Sequence, residues 1–267
     1  MTSPAHRPHP LALGALLSLA LLGGCAANGA ERDTVATGPA LVTPGTLTVC
    51  SDMPYEPFES LKDGKPFGFD IDLVRKVADN LHLEAQFKDT DFDAIQSGDA
   101  LNSGACDIAI SAMTITGERA RVLDFSSPYF NASQALVLDK GSDVTSLEDL
   151  GGKRIAVQGG TTGELYVTDN APSTAKVVPL KDAAAMEQAL KERKVDAAVY
   201  DNTVVGDVVA NNPKLQVAAQ FDTGEQYGMA VKKDGNVPLL RSINRALATV
   251  KKDGGYSAVY TTWFGSA

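Results

Sequence analysis

From residue 46 to residue 200 the chain alternates short apolar runs with stretches of helical periodicity, and this alternation restricts the fold more than any other feature. Leu47-Thr48-Val49-Cys50 reads as a strand. Residues 70–81 (DIDLVRKVADNL) set Leu73, Val74, Val77, Ala78 and Leu81 on one helical face, with acids in the first turn. A weaker helix over 93–101 leads to a strand over 107–111. Further on, Lys153–Gln158, Lys176–Leu180 and Val195–Tyr200 read as strands, with helices predicted over 162–170 and 182–193. Ser146-Leu147-Glu148-Asp149 has the spacing of a capping box after a polar break near 131–145. Such alternation calls for parallel sheets covered by helices, an α/β fold. Two helical patterns, 237–252 and 256–264, follow. On the last, Tyr256, Tyr260, Trp263 and Phe264 form a stripe expected to pack into the core.

With 267 residues, 44% of them hydrophobic, the chain is long enough for two cores and too apolar for disorder. Its net charge of −9 argues against a nucleic-acid partner, because phosphates reward a basic face. The first residues read as an export signal: Arg7 precedes an apolar run from Leu11 to Leu22, too short to span a bilayer, which needs roughly 20 residues. Leu22-Gly23-Gly24-Cys25 then resembles a bacterial lipobox, in which Cys25 is lipidated. Residues 1–24 are therefore expected to be a lipoprotein signal peptide. Residues 25–45, rich in Ala, Gly, Thr and Pro, are expected to be a flexible tether. Loss of Arg7 with the signal leaves a charge of about −10.

Catalytic and metal chemistry lack their parts. His82 is the one histidine beyond the signal segment, and it is expected to be solvated on a helix face. No thiols stand at metal-ligand spacing, so neither a metal nor a cofactor is expected. Gly159-Gly160-Thr161-Thr162-Gly163 lacks the lysine of a phosphate-binding loop, but its backbone N–H groups can meet a small anion at a helix start.

Four polar stretches each follow a predicted strand: Ser51 to Phe58, Ser111 to Arg119, Gln158 to Gly163, and Tyr200 to Thr203. Open α/β sheets bind ligands at those carboxyl ends. The second stretch, SAMTITGER, ends an apolar run in small and hydroxyl residues with one arginine, as a small-anion site requires.

In order along the chain stand Asp52-x-x-Tyr55-x-Pro57-Phe58, Gly68-Phe69-Asp70-Ile71-Asp72, Phe92-Asp93, Met113-Thr114-Ile115-Thr116-x-x-Arg119 and Phe125-Ser126-x-Pro128-Tyr129. Together these motifs, over residues 46–265, resemble the polar amino-acid solute-binding proteins of ABC importers. The resemblance implies two doubly wound α/β lobes joined by a two-strand hinge, the type II periplasmic-binding-protein fold. Lobe one would span 46–131 plus 229–267, and lobe two 132–228. It implies that Arg119 grips a ligand α-carboxylate, helped by the N–H and hydroxyl of Thr114 and by the Thr161-Thr162 turn. Asp201 would hold the α-ammonium, aided by Ser111 and Ala112. Tyr55 and Phe92 would sandwich the ligand's stem, with Asp52 and Gln158 at the far end. An acid there suits a guanidinium or amide and disfavours an acidic ligand. Val157-Gln158-x-Gly160-Thr161-Thr162 is most similar to the arginine-binding branch, so arginine or another cationic amino acid leads and glutamine follows.

The implied protein is a monomer on the outer face of the cytoplasmic membrane, held through Cys25, that delivers an amino acid to an ABC permease. The competing reading is an enzyme on the same scaffold, similar to cyclohexadienyl dehydratases. Asp201 and Asp52 facing an anionic substrate weigh against it. Cys50 and Cys106 are expected to be free: strands meeting near Asp52 and Ala112 would offset them by about four residues, roughly 13 Å, beyond disulfide reach.

Overall fold

The computed structural model describes residues 39–266, and Cys25 and the expected signal and tether up to residue 38 lie outside them. The chain begins with β1 (Thr46–Ser51), the hairpin β2 (Ser60–Lys62) and β3 (Lys65–Phe67), and helix α1 (Phe69–Asn80). Strand β4 (Glu84–Asp89), helices α2 (Phe92–Gln96) and α3 (Asp99–Asn102), and strands β5 (Ile108–Ala109) and β6 (Leu123–Phe125) follow. A long β7 (Phe130–Asp139) leads to β8 (Arg154–Gln158), α4 (Thr162–Asn170), β9 (Lys176–Leu180), α5 (Ala183–Lys191) and β10 (Ala197–Asp201). Then come α6 (Val205–Asn211), β11 (Leu215–Tyr227), β12 (Ala230–Lys232), α7 (Val237–Lys252) and α8 (Gly255–Phe264).

The strands form two five-stranded sheets, ordered β4-β1-β5-β12-β6 and β11-β7-β10-β8-β9. Parallel pairs β1–β4, β1–β5, β8–β9 and β8–β10 sit beside antiparallel ones made by β12, β7 and β11. Central strands buried on both faces need unbroken apolar runs. Accordingly β10 (AAVYD) is buried throughout, and β1 at every residue after the first. The chain passes from the first sheet to the second between β6 and β7, and returns between β11 and β12. There β7 and β11 are neighbours, paired from Phe130–Tyr227 to Asp139–Leu215.

Helix α1 turns Leu73, Val74, Val77 and Ala78 inward and packs on α7 and α8. Its start is fixed by Gly68 at φ 135°, where a Cβ would lie 2.0 Å from the Phe58 carbonyl oxygen. Only glycine lets the loop before β2 press against the helix. Phe69 and Asp70 N–H groups then donate to Pro57 and Phe58 at 2.9 Å. The aromatic stripe of α8 packs as expected: Phe264 meets Phe58, Phe69 and Phe130, and Trp263 Nε1 donates to Asp72 at 3.0 Å.

Four expectations need correction. Cys50 and Cys106 form a disulfide, with Cα atoms 5.8 Å apart. Cys50 stands opposite Ala109, and β5 begins only at Ile108, so strand spacing does not govern Cys106. Asp107 binds Thr48 through both its N–H and its carboxylate, drawing the preceding residues against β1. The helix over 93–101 is two short helices, broken where Gly98 takes φ 85°. The capping box opens only a 3₁₀ turn at Glu148–Leu150, because Ser146 gives its hydroxyl to Asp149 instead of receiving a backbone N–H. His82 is exposed, but it lies just beyond α1 at φ 56° instead of on a helix face.

Candidate ligand site between the two sheets

The carboxyl ends of β1 and β5 face those of β8 and β10 across one pocket with a cavity of about 40 Å³. All eleven pocket positions expected from sequence line it: Asp52, Tyr55, Phe92, Ser111, Ala112, Thr114, Arg119, Gln158, Thr161, Thr162 and Asp201. Gln134, Gly163, Met186, Val199 and Tyr200 complete the wall.

Arg119, 5% exposed, donates from Nη1 to the Thr114 carbonyl at 2.8 Å and from Nη2 to the Gly160 carbonyl at 3.0 Å. Its guanidinium carbon sits 5.1 Å from the centre of the Phe92 ring. Burial drives its pKa down to about 10, although Asp201, Glu225 and Glu118 pull it up, so it stays cationic at neutral pH. The second bond reaches from one sheet's loops to the other's. Gly160 makes the approach possible: at φ 72°, a Cβ there would lie 2.6 Å from Asp93 Oδ1 and 3.0 Å from Gln96 Nε2.

On the facing wall, Asp201 accepts from Gln134 Nε2 at 2.6 Å and from the Tyr227 hydroxyl. Burial and the nearby Glu225 raise its pKa to about 6, against those two bonds and Arg119. Asp52, also on the pocket wall, accepts from Gln158 Nε2. Burial is again the main cause that lifts its pKa to about 6, with Asp89, Asp182 and Asp91 adding to it and the Gln158 bond opposing. Thr161 caps α4, its hydroxyl accepting from Glu164 N at 3.2 Å and donating to Gln158 O at 2.8 Å. That places the first turn of α4, at Thr162, against the pocket.

Sequence reasoning missed Glu225 on β11. Its Oε2 accepts from Thr114 Oγ1 at 2.6 Å and Thr162 Oγ1 at 2.7 Å, and its Oε1 from Gln134 Nε2 at 2.9 Å and Thr223 Oγ1 at 2.8 Å. Burial pushes its pKa up, but these four donated bonds outweigh burial and hold it below the ordinary value. The Thr114 hydroxyl, expected to point at a ligand carboxylate, is thus committed to Glu225. The polar stretch Thr223-Gly224-Glu225-Gln226 follows no predicted strand, so it carried no signal for this role. Asp70 did carry one: it falls on the apolar face of α1 with Leu73, Val74 and Val77, and it is fully buried.

A pocket at the sheet ends, lined by one buried cation and two carboxylates, has the form of a two-sheet α/β binding protein for a small polar molecule. Residues 47–266 match the family described as bacterial extracellular solute-binding proteins, family 3, and the chain belongs to that family. It is 32% identical to the ABC transporter glutamine-binding protein GlnH of Bacillus subtilis over 95% of each chain. It is 35% identical to the ABC transporter arginine-binding protein 1 of Escherichia coli, over 79% of this chain and 87% of that one. A solved ancestral arginine-binding protein, bound to arginine, superposes with a TM-score of 0.79 at 44% identity, covering 83% of this chain and 99% of that one. The two curated relatives are named as ABC transporter binding proteins, and the chain is a transport-associated binding protein too, not an enzyme.

Proposed function

We propose that the chain captures a polar amino acid between lobe one (46–131 plus 229–267) and lobe two (132–228) and delivers it to an ABC permease. Arginine or another cationic amino acid is the first candidate and glutamine the second. The observation that carries this reading is the placement of buried Arg119 and Asp201 on one pocket together with a second acid, Asp52. Arg119 suits the α-carboxylate, Asp201 the α-ammonium, and Asp52 a cationic or amide tip. Tyr55 and Phe92 flank the stem, while Ser111, Ala112, Thr114, Thr161 and Thr162 supply the remaining polar contacts. The names of the arginine- and glutamine-binding relatives support the same two candidates. A thermal-shift screen of the common amino acids, with ornithine and citrulline, tests the reading. A hundredfold excess over Kd stabilises the fold by about 2.7 kcal/mol. If no amino acid at millimolar concentration raises Tm, the reading fails.

Cys25 after Leu22-Gly23-Gly24 is the proposed lipid anchor, which places the protein at the outer face of the membrane. Acyl chains supply the attachment at about 0.8 kcal/mol per buried CH₂. Cys25→Ser releases the protein from the membrane fraction or leaves it unprocessed; normal membrane retention of that variant refutes the anchor.

A further inference from the structure

Beneath the pocket floor lie two acids that do not themselves line the pocket. Glu59 and Asp70 are both fully buried, and they lie close enough for each to shift the other's titration. Asp70 Oδ2 accepts from Ala112 N at 2.8 Å and from the Tyr129 hydroxyl at 2.7 Å. Glu59 Oε1 accepts from Ser111 Oγ at 2.7 Å. The two oxygens that remain, Glu59 Oε2 and Asp70 Oδ1, are buried and have no hydrogen-bond partner among the described residues. Two adjacent carboxylates in a dry core cannot both ionise, so one proton must lie between them. Asp70 already receives two donors and Glu59 only one, which puts the charge on Asp70 and the proton on Glu59 Oε2.

Ser111 is the link to the pocket. A hydroxyl has one hydrogen and two acceptor positions. Ser111 Oγ spends the hydrogen on Glu59 and one acceptor position on Asp52 N, at 3.0 Å. Only a lone pair is left for a ligand. Resting on the amino-acid reading above, we propose that Glu59, protonated and braced by ionised Asp70, is a positioning residue that fixes Ser111 as a pure hydrogen-bond acceptor. Ser111 then selects N–H groups of a ligand, ammonium, guanidinium or amide, over carboxylate or carbonyl oxygen. The same pair holds the floor in place, since Ala112, bonded through its N–H to Asp70, takes φ 41° without being glycine.

The titratable groups facing the pair are Asp52 after β1, Tyr55 before β2, Tyr129 ahead of β7 and Tyr256 on α8. None is a cation. Burial first, and then the neighbouring carboxylate, raises the pKa of Glu59.

The design makes Glu59→Gln a close mimic: the amide oxygen accepts from Ser111 and the amide nitrogen donates to Asp70. Glu59→Leu removes both contacts. By calorimetry, Glu59→Leu weakens arginine binding about tenfold or more, and Glu59→Gln returns to within about threefold of wild type. Combining Glu59→Gln with Asp70→Asn sets two N–H groups against each other, and the loss exceeds the product of the single losses by about tenfold. Wild type loses affinity at alkaline pH as Glu59 ionises, on top of the ligand's own titration, and Glu59→Gln lacks that extra loss. Infrared spectroscopy reads the proton without ligand. At about pH 8, where Asp52 and Asp201 are ionised, wild type shows the carbonyl stretch of a protonated acid and Glu59→Gln does not. Absence of that band in wild type overturns the proposal, even if Glu59→Leu fails to fold. So does a Glu59→Gln variant that binds as poorly as Glu59→Leu. If wild type binds no amino acid, the functional reading fails, and the infrared comparison still decides where the proton lies.

Discussion

Gln158 Nε2 donates to Asp52 Oδ2 at 2.9 Å, joining the loop after β1 to the end of β8 across 106 residues of chain. This bond puts an amide and an acid together on the wall of the pocket that Arg119 and Asp201 also line. Under the proposed reading the two pairs would answer to different parts of a ligand, and substitutions and pH would separate them.

Arg119→Ala removes a buried fork that also bonds Thr114 and Gly160. Every amino acid it binds should lose about 2–5 kcal/mol of affinity, to a similar degree. Asp52→Asn should weaken arginine by about 1–3 kcal/mol and leave glutamine nearly unchanged. Calorimetric titration of both variants with both ligands checks this; equal losses for the two ligands in Asp52→Asn would make Asp52 structural.

Acid should weaken binding, and more steeply for arginine. Asp52 and Asp201 both titrate near pH 6 when free of ligand, and each must be ionised to meet a cation. Below about pH 6, glutamine should lose about tenfold in affinity per pH unit, through Asp201 alone, and arginine up to about a hundredfold. For the ligand-free fold the sign is opposite. Folded values near 6 exceed the ordinary 3.8, so these acids favour folding below 3.8, and that contribution is lost as pH rises through about 6. Titrations at several pH values with both ligands measure the slopes, and parallel slopes would contradict the assignment.

Glu225→Ala should weaken all ligands by about 1–3 kcal/mol, because the Thr114 and Thr162 hydroxyls lose the acceptor that orients them. Thr114→Val in the same background should then cost less than it does in wild type, by about 0.5 kcal/mol or more. A double-mutant cycle followed by calorimetry supplies the test, and strict additivity would show that the bond does not act on the site.

Replacing both Cys50 and Cys106 by alanine should destabilise the fold by about 4 kcal/mol, the chain-entropy value for a closed loop of this size, with a sequence separation of 56. Denaturant unfolding of the variant against the oxidised protein measures the loss. Thiol titration of the unfolded wild type without reductant should find neither cysteine free.

Sequence periodicity located the strands and helices well where an apolar run is long. Lys176–Leu180 and the helix over 162–170 coincide with β9 and α4. It failed where tertiary contacts decide. Only two residues of β5 pair as strand, and the turn at Asp107 that brings Cys106 to Cys50 depends on Thr48, 59 residues away. The pocket positions were legible because each ends or follows a strand in the first or second sheet. Glu225 and Gln134 were not: they lie within long strands whose pairing, not composition, turns them toward the pocket. Glu59 was hidden for a further reason, since an acid beside Phe58 in a polar loop reads as surface until Gly68 brings α1 against it.

The two passages between the sheets are adjacent strands of one antiparallel ladder, β7 beside β11. Sliding or twisting one passage against the other would break ladder bonds, whereas bending both together keeps them. The ladder thus behaves as a leaf spring with a single soft direction. If the two halves open and close around a ligand as proposed, the motion would follow one angular coordinate, and a partner touching both halves would gauge occupancy from that angle alone, whichever amino acid is inside.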